Sequence, residues 1–184
     1  MAATGRAIAR HGLPNLTLAT VAREAGLSPA TLVQRFGSKR GLLLAFASRA
    51  AGGVRRPFVQ ARATHQSPLA TLRAAVGGFA RVRDRAELAN SLTFLHMDLT
   101  DDEFLAHARA HATLMHREIT ALLVEAQAAG QIDPDTDHER LAHAIRSLYQ
   151  GAVISWALTG DGPLAQAVQD DLDTLLTPYL REDP

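Results

Sequence analysis

Residues Thr17–Phe46 read TLATVAREAGLSPATLVQRFGSKRGLLLAF, and this stretch decides the fold. Thr17 can accept hydrogen bonds from free N–H groups at a helix start, and Val21, Ala22 and Ala25 follow at helical spacing. Gly26 tolerates the left-handed backbone that closes a helix, so the first of these helices ends there, with Leu27 expected to plug the space between it and the next. Ser28-Pro29 is a second start signal, because Ser caps and Pro at the first helical position gives up an N–H that has no partner anyway. Leu32 and Phe36 lie four apart and face inward. Pro29, Ala30, Thr31, Val33, Gln34 and Arg35 are then left on the outside, where a recognition helix meets the major groove. Gly37-Ser38 restarts the chain, and Ser38 caps a further helix opening with Lys39 and Arg40 and running through Leu42, Leu43 and Phe46. The pattern predicts a helix-turn-helix.

These residues resemble the N-terminal DNA-binding domain of the TetR family of transcriptional regulators. The match is carried by Thr17, Val21, Ala22, Ala25, Gly26, Leu27, Ser28, Thr31, Leu32, Arg35, Phe36, Ser38, Lys39 and Leu42 at the family's spacings. The resemblance implies an all-α protein: a three-helix helix-turn-helix domain over residues 1–50 and a helical ligand-binding and dimerisation domain over 51–184. It also implies a regulator, most often a repressor, that binds double-stranded DNA as a homodimer and is released by a small-molecule effector. Two departures stand out. Val33 occupies the place where the family usually has a phosphate-binding Tyr, so that contact is not carried over. The first helix begins at about Ala2, where relatives often carry a longer basic arm, and minor-groove contacts from such an arm are left out of the reading.

Composition agrees. A chain of 184 residues, 47% hydrophobic and 21% charged, is long enough to bury a core and too apolar for disorder. No run approaches the roughly 18 apolar residues of a membrane span, and the N-terminus lacks a signal-peptide core, so the expected location is the cytoplasm. The absence of Cys removes disulfide, thiol and thiolate-metal chemistry.

The formal charge is zero, yet it is unevenly spread. Up to Ala50 there are seven Lys or Arg against one acid, a formal +6, and the remainder carries the compensating −6. A basic head on an acidic body suits a nucleic-acid surface, since phosphate attraction supplies much of the affinity. Lys39 is the only lysine in the chain, and the resemblance aligns it with a phosphate-binding lysine at a helix N-terminus. Arg35 suits a phosphate or a guanine edge, and Gln34 suits base readout. Thr17, Ser28 and Thr31 can cap a helix or bind phosphate. With Pro29 and Ala30 on the same outer surface, these eight residues are the candidate DNA-binding set.

Beyond Ala50 apolar residues recur at three and four, broken at Gly52-Gly53, Pro57, Ser67-Pro68, Gly130, Asp133-Pro134 and Gly160–Pro163. The spacing predicts helices over 58–65, 68–83, 86–98, 101–129, 135–159 and 163–181, the first short enough to be only a turn. Thr100 is the expected cap of 101–129. In 135–159, Leu141, Ile145, Leu148, Ala152 and Trp156 form one stripe, while Ala144, Gly151, Ile154 and Leu158 lie on other faces, so this helix is buried on more than one side. The resemblance assigns the last two helices to the dimer, which would set the recognition helices about 34–36 Å apart on a palindromic operator.

What the body senses is less legible. His107, His111 and His116 share a long helix and suggest a metal-responsive regulator, but His116 falls off the common face and H-x-x-x-H alone is a weak signal. Asp133-x-Asp135-x-Asp137 lacks the Gly and Glu of a calcium loop and reads as a polar turn. A constitutive DNA binder without effector is a second alternative. No catalytic fingerprint or convergent acid–base set is present, so no enzyme activity and no cofactor are expected. The resemblance places an effector inside the C-terminal bundle, with Phe79, Phe94, His96, Met97, His111, Met115, Tyr149 and Trp156 as candidate lining, each of which equally suits the core.

Overall fold

A computed structural model describes residues 1–80 and 85–181, with side chains for all of these except 85–92. Every regular element among them is helical: α1 (Ala2–His11), α2 (Leu18–Ala25), α3 (Pro29–Phe36), α4 (Lys39–Gly52), α5 (Arg55–Thr64), α6 (Pro68–Phe79), α7 (Arg85–Thr100), α8 (Asp102–Ala128), α9 (His138–Thr159) and α10 (Leu164–Leu176), with a 3-10 turn at Thr177–Tyr179. The all-α expectation holds. The predicted end of the 68–83 helix lies outside the described residues.

The chain packs as two units. The first unites Met1–Gly53 with α7 and with α8 as far as His111; the second contains α5, α6, the rest of α8, α9 and α10. Packing therefore divides the chain differently from the 1–50 and 51–184 boundaries of the sequence, because α7 and the start of α8 join the helix-turn-helix.

In the first unit Ile8, Leu16, Val21, Leu32, Leu42 and Phe104 belong to one buried cluster, and the rings of Phe46 and Phe94 stand 5.7 Å apart at its edge. In the second, Phe58, Leu72, Ile119, Leu123, Ile145 and Leu172 are fully buried in another. Gly77 lies under the end of the Gln169 side chain, whose Nε2 donates to the Arg73 carbonyl at 2.9 Å, so a Cβ there would displace that amide. Arg55 meets Glu118 at 2.8 Å and Arg62 meets Glu125 at 2.6 Å, an α5–α8 ion-pair ladder two helical turns long.

Several local expectations change. The 58–65 segment is a complete helix that starts earlier, at Arg55. Leu27 does not plug the interhelical gap but is 46% exposed; Gly26 adopts φ 67°, and the Leu27 N–H turns back to the Ala22 carbonyl at 2.9 Å, which carries its side chain outward. Thr100 is the last residue of α7, not a cap, and its hydroxyl donates to the His96 carbonyl at 2.8 Å. Asp101 takes the capping role, its Oδ1 accepting from the Glu103 N–H at 3.0 Å. Helix α9 starts at His138 rather than 135, because Asp133–Thr136 closes a turn and Asp137 accepts from the Arg140 N–H at 3.0 Å. The acidic run is thus a polar interhelical turn. The final helix stops at Leu176, followed by the 3-10 turn.

Candidate nucleic-acid interface

Three serine or threonine caps hold the helix-turn-helix. Thr17 Oγ1 accepts from the Thr20 N–H at 3.0 Å while Thr20 Oγ1 accepts from the Thr17 N–H at 3.0 Å, a reciprocal capping box. Ser28 Oγ accepts from the Thr31 N–H at 3.1 Å and shares a 2.8 Å hydrogen bond with the Thr31 hydroxyl. Ser38 Oγ accepts from the Gly41 N–H at 3.1 Å. Each cap is worth about 1 kcal/mol, and together they set where α2, α3 and α4 begin.

Helix α3 is anchored by Leu32, which is buried, and Phe36, which is half-buried. Pro29, Ala30, Thr31, Val33, Gln34 and Arg35 are all exposed, so the structure gathers the outward candidates on one short helix. Arg35 rests over the Phe36 ring at 5.4 Å, which orients its guanidinium beside the exposed face. Val33 is 50% exposed, an apolar side chain with no hydroxyl to offer on this face.

The seven cations of the head have different employments. Arg6 and Arg10 both converge on Glu24, whose backbone carbonyl also accepts from Arg6 Nη2 at 3.0 Å. Arg40 is taken by Asp101 and Glu103, at 2.8 and 2.5 Å. Asp101's carboxyl is accordingly held below the usual carboxylate range, chiefly by its hydrogen bonds from Arg40. Lys39 Nζ donates to the carbonyls of Leu13 at 2.7 Å and Pro14 at 3.2 Å, tying α4 to the α1–α2 loop. An ammonium has three N–H donors, so one remains for an outside acceptor. Arg23, Arg35 and Arg49 are exposed and make no ion pair among the described residues. Arg6, Arg10 and Arg40 are exposed as well but already face carboxylates, which offset part of the +6 at the surface.

The predicted pocket residues divide between the two units. Phe94, His96, Met97 and His111 belong to the first unit; Phe79, Met115, Tyr149 and Trp156 belong to the second. Met115 is core, and Phe94 and Met97 pack against the first unit's cluster. Tyr149 is mostly buried beside Phe79, 6.2 Å between rings, and its hydroxyl donates to the Phe79 carbonyl at 3.2 Å; burial pushes its phenol up. Trp156 Nε1 donates to the Gly162 carbonyl at 2.8 Å and so holds the α9–α10 turn. Of the histidines, His116 pairs with Glu139 at 2.6 Å, and His107 lies near Asp98, whose carboxyl is raised by burial against the opposing pull of that histidine. Among the described residues no group of three or more His, Asp or Glu is placed to hold a metal.

Comparison with known proteins places this geometry. The family model for bacterial regulatory proteins of the tetR family matches residues 1–46, and the model for the tetracyclin repressor-like C-terminal domain matches residues 68–171, more than half of the chain. The chain belongs to the TetR family. Among solved structures, a TetR transcription regulator from Haloarcula marismortui superposes with a TM-score of 0.82 at 18% identity, covering 98% of this chain and 95% of that one. A regulator from Saccharomonospora viridis, solved in complex with choline, gives 0.81 at 20% identity over 99% and 95% of the two chains. SmeT, the repressor of the Stenotrophomonas maltophilia multidrug efflux pump SmeDEF, gives 0.71 at 17% identity over 98% and 88%. At these identities the structures show the shared fold. No curated protein matches the chain.

For this TetR-family chain, sequence reasoning missed the Arg40–Asp101–Glu103 cluster. The two cations at the start of α4 and the acids at the start of α8 are each visible in the sequence, but nothing local pairs positions 61 residues apart.

Proposed function

We propose that this TetR-family regulator is a ligand-responsive repressor, a cytoplasmic homodimer that binds a palindromic operator and is released by a small-molecule effector. The observation that carries the reading is the exposed face of α3, where Thr31, Gln34 and Arg35 project beside one another from a helix capped by Ser28 and anchored by Leu32. Gln34 reads a base edge, with Arg35 on a phosphate or a guanine. Thr17, Ser28, Pro29, Ala30 and Thr31 approach the backbone, and Lys39 lends its third N–H to a phosphate. Residues 1–50 form the DNA-binding domain in this reading, and residues 51–184 bind effector and dimerise.

Dimerisation is supported by α9, where Ile154 and Leu158 are 45% and 79% exposed beside the exposed Gly151, an apolar strip with a close-approach point on one of the last two helices. Apolar side chains grouped so on an outer face favour a partner surface. The effector role is supported by likeness: one relative was solved with choline and another represses an efflux pump. The protein acts as a regulator and not as an enzyme. No helix among the described residues is long and apolar enough to cross a membrane.

Selection of bound DNA from a random-sequence pool tests the proposal. Enrichment of a two-fold symmetric site with half-sites one helical turn apart is the expected result. Recovery of DNA without symmetry, or no enrichment, would overturn it.

A further inference from the structure

The unit that carries α3 also contains an open-mouthed cavity of about 520 Å3, lined by residues of that unit alone. Its walls are apolar: Leu13 from the α1–α2 loop, Leu43 from α4, Met97 from α7 and Phe104 from α8. Leu13, Leu43 and Phe104 are at most 3% exposed, so these walls are fixed by the packed core behind them. The volume lies in the range of small-molecule sites, which combine an apolar lining with a few placed polar groups.

The polar groups sit together. Lys39 and Arg40, in the first turn of α4, both line the cavity, against one carboxylate, Asp101. Arg40 already holds Asp101 at 2.8 Å and reaches past it to Glu103 at 2.5 Å. That cluster sets two carboxylates against one guanidinium, and Lys39 is the cation of the lining without a carboxylate partner among the described residues. Two of its three donors are spent on the Leu13 and Pro14 carbonyls. The N–H groups opening the 14-residue α4 add positive potential beside it.

We propose that this cavity binds a small apolar anion, an aliphatic or aromatic carboxylate whose hydrocarbon body lies on Leu43, Met97 and Phe104 and whose charged end meets Lys39. The site belongs to the first unit and shares only Met97 with the candidate effector lining drawn from the sequence. A molecule seated there bridges α4 to α7 and α8 and takes up the Lys39 donor otherwise offered to DNA phosphate. Ligand and DNA then weaken each other reciprocally; this consequence rests on the operator reading, whereas the site itself does not.

The chain has three methionines, which makes the test direct. Protein labelled with 13C at the methionine methyls gives resonances for Met1, Met97 and Met115, and the Met97 signal is identified by its loss in Met97→Leu. Titration with octanoate should shift the Met97 methyl saturably and leave Met115, in the second unit's core, in place. The neutral analogue 1-octanol should bind about tenfold more weakly, as should octanoate to Lys39→Gln, the loss of roughly one charge-assisted hydrogen bond. An unmoved Met97 signal, a shift at Met115 instead, equal binding of 1-octanol, or an unchanged titration in a Lys39→Gln protein with the wild-type Met115 resonance would each overturn the proposal. DNA is absent from the measurement, so its failure is distinct from failure of the operator reading.

Discussion

Arg40 and Asp101, 61 residues apart in the chain, form a forked ion pair in which Nε donates to Oδ2 at 3.2 Å and Nη2 to Oδ2 at 2.8 Å and Oδ1 at 2.9 Å. The same Asp101 Oδ1 caps α8 through the Glu103 N–H. One carboxylate therefore terminates a helix and fastens α4 to it. Because Asp101's pKa is lowered by Arg40, its contribution is present above the unfolded carboxylate value of about 3.9 and lost as pH falls through the lower folded value. Asp101→Asn, which retains a capping oxygen, should lower the thermal midpoint at pH 7, and the difference from wild type should shrink below about pH 4. Thermal melts of both proteins across pH check this, and a difference that persists undiminished in acid would point to a cause other than the ionised pair.

Ser28→Ala removes the acceptor for the Thr31 N–H and should destabilise the fold by about 1 kcal/mol. Urea denaturation measures it. Ser28→Asp should recover most of the loss, because it restores an acceptor and places negative charge at a helix N-terminus.

Gln34→Ala and Lys39→Ala should separate base readout from phosphate contact. The first should cost about 1–3 kcal/mol on the selected operator and little on unrelated DNA. The second should weaken all sequences alike and lower the salt slope by about one unit, and it should also destabilise the free protein, since Lys39 ties α4 to the Leu13 and Pro14 carbonyls. Filter binding across salt concentrations and urea melts give both readouts. An unchanged slope would remove Lys39 from the DNA contacts and leave it a structural tie.

Tyr149→Phe deletes the donor to the Phe79 carbonyl and should cost about 0.5–1.5 kcal/mol at neutral pH. Burial raises the Tyr149 pKa, so its stabilising share is whole below the unfolded value of about 10 and falls as pH rises through the higher folded value. The variant should therefore lose less stability than wild type above about pH 10, which alkaline denaturation curves would show.

Leu158→Asp places a charge in the exposed apolar strip of α9. Sedimentation velocity should find a monomer where wild type is a dimer, with circular dichroism unchanged. A dimer that survives the substitution would move the interface elsewhere.

The helix-turn-helix was legible because its signals are local. Thr17, Ser28 and Ser38 cap within three residues of themselves, Gly26 closes its own helix, and the 29–36 periodicity separates Leu32 from Gln34 and Arg35. Local signals also misled. Thr100 looked like a cap beside an acidic first turn, yet Asp101 won because its carboxylate both accepts from the Glu103 N–H and binds Arg40. Leu27 looked like a core residue, but Gly26's left-handed turn sends it outward. The division of the predicted pocket residues between the units has a related cause: periodicity marks an apolar face without naming the surface it meets, and Phe94 and Met97 joined the first unit while Met115 joined the core of the second.

Sequence alone determined that this is an all-helical TetR-family chain with a Ser28-capped helix at Pro29–Phe36, since capping, helical period and Gly turns act over three to four residues and are written in order along the chain. Tertiary structure alone decided which cations remain for DNA. Coulomb attraction and hydrogen bonding follow distance in space, so Arg6 and Arg10 went to Glu24, Arg40 to Asp101 and Glu103, and Lys39 to two carbonyls of the α1–α2 loop, leaving Arg23, Arg35 and Arg49 without a carboxylate partner among the described residues.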